Sequence, residues 1–116
     1  MRILMILNDA PYGSEGTYNG LRLAGSLAKQ EGVELEVFLI GDAVSGAHQG
    51  QKVPQGYYNV QTMLGAVLRR NGAVGVCGSC MDARGISDAD LVEGTHRSSM
   101  DELTRWTVEA DKVITF

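Results

Sequence analysis

The run Ile3-Leu4-Met5-Ile6-Leu7 is apolar at every position and stops at Asn8-Asp9-Ala10-Pro11-Tyr12-Gly13, a cluster of turn formers. A run of that length and kind reads as a strand buried on both faces. The next segment changes period: Leu21, Leu23, Ala24, Leu27 and Ala28 recur at helical spacing up to Gln30, with Ser14 placed to cap the helix and Gly32 to end it. Val33 to Ile40 then predicts a second strand. Helical spacing returns over Asn59 to Arg70, where Val60, Met63, Leu64, Val67 and Leu68 share a face before Asn71-Gly72. Ala73 to Val76 predicts a third strand that delivers Cys77 at its carboxyl end. Between these elements, Ala43 to Tyr58 reads as a partly helical start followed by a mobile loop, of a length that often carries function.

The last third repeats the alternation with weaker signals. Ile86 to Leu91 predicts a short helix capped by Ser87 or Asp88, and Val92 to His96 a short fourth strand. Ser98 or Ser99 caps a final helix with a broad apolar face of Met100, Leu103, Trp106, Val108 and Ala110, and Lys112 to Phe116 closes as a strand. Strand and helix in alternation call for parallel pairing through right-handed crossovers. The expected fold is therefore α/β, a three-layer α/β/α sandwich with a mainly parallel sheet of about five strands. At 116 residues and 44% hydrophobic content, one compact domain spanning 1–116 uses up the available core.

Charge narrows the partners. The net charge of -4, with ten basic residues scattered along the sequence, offers no obvious surface for nucleic acid or anionic membrane. The first apolar run is too short for a signal-peptide core or a membrane span, so the expectation is a soluble, cytoplasmic protein. Neither Gly-x-Gly-x-x-Gly after the first strand nor a Gly-Lys-Ser/Thr ending is present, so no nucleotide or other cofactor is expected.

In open parallel sheets the functional crevice lies beyond the carboxyl ends of the strands. Asn8 to Gly13, Asp42 to Tyr58 and Cys77 to Gly85 all fall there, which predicts one convergent site. Its centre is Cys77-Gly78-Ser79-Cys80. A thiol attacks as its thiolate, and positive potential from the backbone N–H groups of the glycine-containing turn, from a following helix and from Arg84 would favour that form. Gly78 leaves room for a sulfur substrate to approach. The Cys-x-x-Cys spacing lets one thiol attack a bound sulfur species and the other resolve it. Competing readings remain open from the residues alone. Both cysteines can be small packing residues, a preference free cysteine shows in general. A zinc site would have only His48 and His96 to add, without a second paired motif. A thioredoxin-like arrangement would put the pair after an earlier strand and before a long helix. Turn chemistry alone explains Asn8, Tyr12 and Gly13, Tyr57-Tyr58 reads as a loop anchor, and Trp106 as core.

Taken together, Asn8 to Gly13, Gly41-Asp42-Ala43-Val44, the segment Cys77 to Ile86 and the ending Ala110 to Phe116 resemble the DsrE/DsrF-like family, and most of all its YchN-type members. The resemblance implies a parallel α/β/α sandwich and a homo-oligomer, a trimer or hexamer. It implies sulfur relay, in which a cysteine before Arg-Gly, matching Cys77, accepts persulfide sulfur; Cys80 matches the second cysteine of some YchN-type members. On this reading Cys77 and Cys80 are the catalytic residues, and Asn8, Tyr12, Gly13, Gly78, Ser79, Arg84 and Gly85 bind substrate. Sulfur donor and acceptor proteins are the implied partners. The rival is a redox-responsive oligomeric binding protein without turnover.

Overall fold

The computed structural model describes residues 1–116. Five strands, β1 (Arg2–Leu7), β2 (Glu34–Leu39), β3 (Ala73–Cys77), β4 (His96–Ser98) and β5 (Lys112–Thr115), pair in the order β4-β3-β2-β1-β5. Every pairing among these strands is parallel, as the alternation of strand and helix requires. The four helices are α1 (Gly16–Leu27), α2 (Val60–Leu68), α3 (Gly78–Ala83) and α4 (Met100–Glu109).

Topology sorts the helices into layers. From β1 to β4 the chain steps in one direction across the sheet, so right-handed crossovers put α1, α2 and α3 on one face. The connection from β4 to β5 jumps back past β1, which puts α4 on the other. Trp106 of α4 meets Phe38 of β2 edge-on at 6.2 Å between ring centroids. In the same row of the sheet, a Cβ on Gly75 would stand 3.2 Å from the Trp106 ring, so glycine is what lets the indole lie against β3. Leu4, Met5, Leu7, Val37, Leu39, Val74 and Val76 fill the centre and are fully buried.

The central elements match their sequence signals. Asn59 caps α2, its side-chain oxygen accepting the Thr62 N–H at 3.1 Å, and Asn71 takes a left-handed φ of 64° after the helix ends. A 3-10 helix over Gly41–Ala47 is the partly helical start of the long loop.

Several boundaries differ. Ser14 does not cap α1: the cap position is Glu15, and the Ser14 hydroxyl donates to Asp9 Oδ2 at 3.1 Å. The helix expected over Ile86 to Leu91 is one 3-10 turn at Asp88–Asp90, where the N–H and O–H of Ser87 both donate to Asp90 Oδ2. The helix that follows β3 comes earlier, as α3, directly after Cys77. The fourth strand is His96–Ser98 rather than Val92 to His96, because Leu91 and Val92 pair with the loop instead: Leu91 bridges His48, and the Val92 N–H donates to the Ala47 carbonyl at 2.8 Å. On α4 only Leu103 and Trp106 are buried, while Met100 and Val108 face outward. The basic residues, scattered along the sequence, do not stay so in space: Arg22, Lys29, Arg69 and Arg70 line one groove between α1 and α2. No helix is long and apolar enough to cross a membrane.

Candidate functional site

Cys77 is both the last residue of β3 and the cap position of α3. The chain therefore turns from strand to helix at the sulfur itself. Gly78 makes the turn possible in a crowded place. A Cβ there would stand 2.8 Å from Arg97 Nε and 3.0 Å from the Ser98 carbonyl oxygen. The guanidinium that lies across Gly78 is held by Asp82, which accepts from both of its terminal nitrogens at 2.9 and 2.6 Å.

Both cysteines are free thiols, and they differ in surroundings. Cys77 is buried, with Ser79 Oγ 3.4 Å from its sulfur. Cys80 is half-buried, and its sulfur accepts the Gly41 N–H at 3.3 Å. Burial pushes the Cys77 thiol up, but hydrogen bonding from the Cys80 thiol and the Ser79 hydroxyl outweighs it and holds Cys77 below an ordinary thiol. The backbone N–H groups of Ser79 and Cys80 add to this as nearby dipoles, since the Cys77 side chain makes no capping hydrogen bond of ordinary geometry. Cys80 moves the other way. Burial raises it first, then the proton it gives to the Cys77 sulfur, against smaller lowering effects from the Gly41 N–H and Arg84. The pair is thus asymmetric, with Cys77 the more acidic thiol and Cys80 the less acidic one.

The Cys77 sulfur opens on a cleft of about 370 Å³ at the amino end of α4. Phe38 and Met100 form its apolar side, and Ser79, Arg97, Ser98 and Ser99 its polar side. Behind Ser98, Glu102 accepts the Ser98 hydroxyl at 2.7 Å and faces the His96 ring. Burial raises the Glu102 carboxyl, but these hydrogen bonds more than offset it and hold the group below its usual range. The arrangement offers a nucleophilic sulfur, a proton donor beside it and a guanidinium across the cleft floor.

The expected convergence of three segments divides in the structure. Cys77, Gly78 and Ser79 share the cleft. Arg84 stands behind Cys80, giving one N–H to the Cys80 carbonyl at 3.0 Å and another to Asp42 Oδ1 at 2.6 Å. Its charge acts on Cys80 more directly than on the cleft. The Asn8 side chain turns away to the Phe116 backbone oxygen, 2.9 Å off. Tyr12 donates to Gln51 Oε1 at 2.6 Å, accepts the Val60 N–H at 3.1 Å and stacks on Tyr58. Tyr58, stacked also on Tyr18, is the residue that anchors the loop, and Tyr57 is exposed. Gly13 and Gly85 take left-handed φ values of 97° and 68° in turns whose Cβ positions face open space. His48 and His96 stay apart from the thiols, and no three His, Cys, Asp or Glu side chains come together as a metal site would need.

The family model for the DsrE/DsrF-like family matches residues 1–116, the full sequence. The chain belongs to the DsrE/DsrF-like family. Protein YchN of Escherichia coli is 45% identical over 99% of this chain and 98% of its own length, and its crystal structure superposes with a TM-score of 0.94. An uncharacterized protein of Methanocaldococcus jannaschii is 36% identical over the full length of both chains. A protein of unknown function from Methanobacterium thermoautotrophicum, at 17% identity and a TM-score of 0.75, shares the fold.

Within this DsrE-like site, Arg97, Ser98 and Ser99 are the residues that sequence reasoning missed. They follow from the register: Cys77 pairs with Ser98 and Val76 with Arg97, so whatever ends β4 lies beside the thiol. Placing β4 a few residues early moved that end away from the cleft.

Proposed function

We propose that the protein is a sulfur carrier whose Cys77 thiolate accepts a sulfane sulfur. The sulfur attacks the outer sulfur of a donor persulfide R-S-SH. A Cys77 S–S bond forms, the donor S–S bond breaks, and RS⁻ leaves, so the exchange involves no net oxidation. The new Cys77-S-SH group would lie in the cleft within reach of Ser79 and the Arg97 guanidinium. An acceptor thiolate then takes the outer sulfur and returns Cys77 as thiolate. In this reading Cys80 is the proton donor that steadies Cys77, and it becomes the resolving thiol only when deprotonated: attack on the Cys77 inner sulfur would form the Cys77–Cys80 disulfide and release HS⁻.

The observation that carries the reading is the opposed poise of two free thiols at one strand end, with only Cys77 opening on a cleft. Membership of a family associated with sulfur relay supports it. The homo-oligomer implied by the resemblance belongs to the same reading, supported by the outward-facing Met100 at the cleft mouth and by Val108 and Val113.

Intact-protein mass spectrometry after incubation with a persulfide donor tests it. A gain of about 32 Da, one sulfur, should appear on the wild type and on Cys80→Ser and be absent from Cys77→Ser. Equal labelling of Cys77→Ser, or none on the wild type, would sink the carrier role.

A further inference from the structure

The groove where α1 and α2 lie side by side, about 500 Å³, gathers Arg22 of α1 with Lys29, just past the end of α1, and Arg69 and Arg70, just past the end of α2. No aspartate or glutamate lines it. Elsewhere the arginines are neutralised: Arg2, Arg84, Arg97 and Arg105 each hold a carboxylate. The groove cations have none. Arg22 has only the Asn19 side-chain oxygen at 3.2 Å and the Tyr18 ring beneath its guanidinium. The rest of the chain carries fourteen acids against six bases, so this is an isolated positive island on an acidic protein.

The floor is of a different character. Leu21, Met63 and Ala66 are apolar, and Gly25 sits in the last turn of α1 with no atom within 4 Å of where a Cβ would point. Glycine is a poor helix-interior residue, and nothing inside the chain demands it there. Its effect is to keep the centre of the groove open for close approach.

We propose that this groove docks an acidic, amphipathic segment of a partner protein. Arg22 lies about a turn and a half before the end of α1, whereas Lys29, Arg69 and Arg70 lie just past the ends of α1 and α2, so the cations run along the groove rather than close on one point as a single phosphate would need. They suit an extended occupant with several carboxylates, whose apolar side chains meet Leu21 and Met63. A nucleic acid fits less well, because its backbone beyond the groove would meet the acidic remainder of the molecule. The inference is independent of the chemistry assigned to Cys77.

A fluorescein-labelled peptide of about 14 residues, with Leu at helical spacing and Glu between, is a suitable probe for anisotropy titration against the full chain. Binding should saturate, weaken as salt rises, and fall roughly tenfold or more in the double variant Arg69→Glu, Arg70→Glu. Gly25→Leu keeps the charge and fills the groove, so it should weaken binding as well, with circular dichroism showing both variants folded. Absence of binding, or binding indifferent to both variants, overturns the proposal. So does tighter binding of a single-stranded oligonucleotide of equal length. If Gly25→Leu breaks a larger assembly into smaller species on gel filtration, the occupant is a second copy of this chain and the proposal fails.

Discussion

At the scale of single residues, the molecule separates two chemically identical side chains by what hydrogen-bonds to each. Hydrogen bonding with Cys80 and Ser79 lowers the Cys77 thiol, while burial and the same contact with Cys77 raise the Cys80 thiol. Iodoacetamide should therefore modify Cys77 first, with a rate that plateaus at a lower pH than for a free thiol near about 8.5. Ser79→Ala and Cys80→Ala each remove a donor, and each should slow Cys77 alkylation at neutral pH by roughly three- to tenfold. Equal rates in wild type and both variants would show that burial, not hydrogen bonding, sets the sulfur. Glu36 gives the opposite lesson on β2. Burial raises its carboxyl above the ordinary value, and Oε2 has no partner. A raised carboxyl means the folded state holds the proton more tightly, so its charge lowers stability as pH rises through the unfolded value and past it. Glu36→Gln should thus be more stable near neutral pH by about 1 kcal/mol, with the gain vanishing below about pH 4, where the neutral acid and the amide are near-equivalent. Urea melts at both pH values measure this; a gain of equal size at both would rule out ionisation as its source.

At the scale of elements, capping and propensity can be tested where packing does not interfere. Asn59→Ala removes the α2 cap and should cost about 1 kcal/mol. Gly25→Ala fills open space in the last turn of α1 and should stabilise by about 0.5–1 kcal/mol. Equilibrium urea unfolding reads both, and a destabilised Gly25→Ala would mean that the packing around α1 is tighter than its open Cβ position indicates. The same distinction explains what could be read from the sequence. β1, β2 and β3 announce themselves because each is flanked by strands on both sides and carries a largely buried apolar run, Ile3 to Leu7, Val37 to Leu39 and Ala73 to Val76. β4 has a partner on one side only, and His96-Arg97-Ser98 contains no apolar residue, so the pattern pointed to Val92 instead. α3 hides because Gly78 and Ser79 are weak helix formers and its six residues bury only Gly78 and Met81, too few to show a period. The thiol pair was visible as a motif, whereas its cleft was not, since three of the four residues on the polar side, Arg97, Ser98 and Ser99, reach it only through sheet register.

At the scale of the whole molecule, the Cys77 thiol and the topological switch point are different places. Connections leave β1 in opposite directions, toward β2 and from β5, which opens a crevice at the carboxyl ends of β1 and β5 where open α/β sheets commonly bind ligands. Here the crevice holds a residue of the chain itself. The Phe116 N–H donates to the Ile6 carbonyl at 2.9 Å, and its backbone oxygen accepts the N–H and the side-chain amide of Asn8 at 3.0 and 2.9 Å. Gly20 admits the ring: a Cβ there would stand 3.2 Å from Phe116 Cγ and 2.5 Å from Leu7 Cδ2. With the crevice plugged, the accessible strand end shifts across β2 to β3, where Cys77 stands. Phe116→Ala should therefore cost about 1–3 kcal/mol, less than a fully buried ring because Phe116 is half-buried, and Asn8→Ala about 1 kcal/mol. Neither should change the Cys77 alkylation rate while the protein remains folded. A folded Asn8→Ala protein with an altered Cys77 rate would return Asn8 to the reactive site and make the plug part of its chemistry.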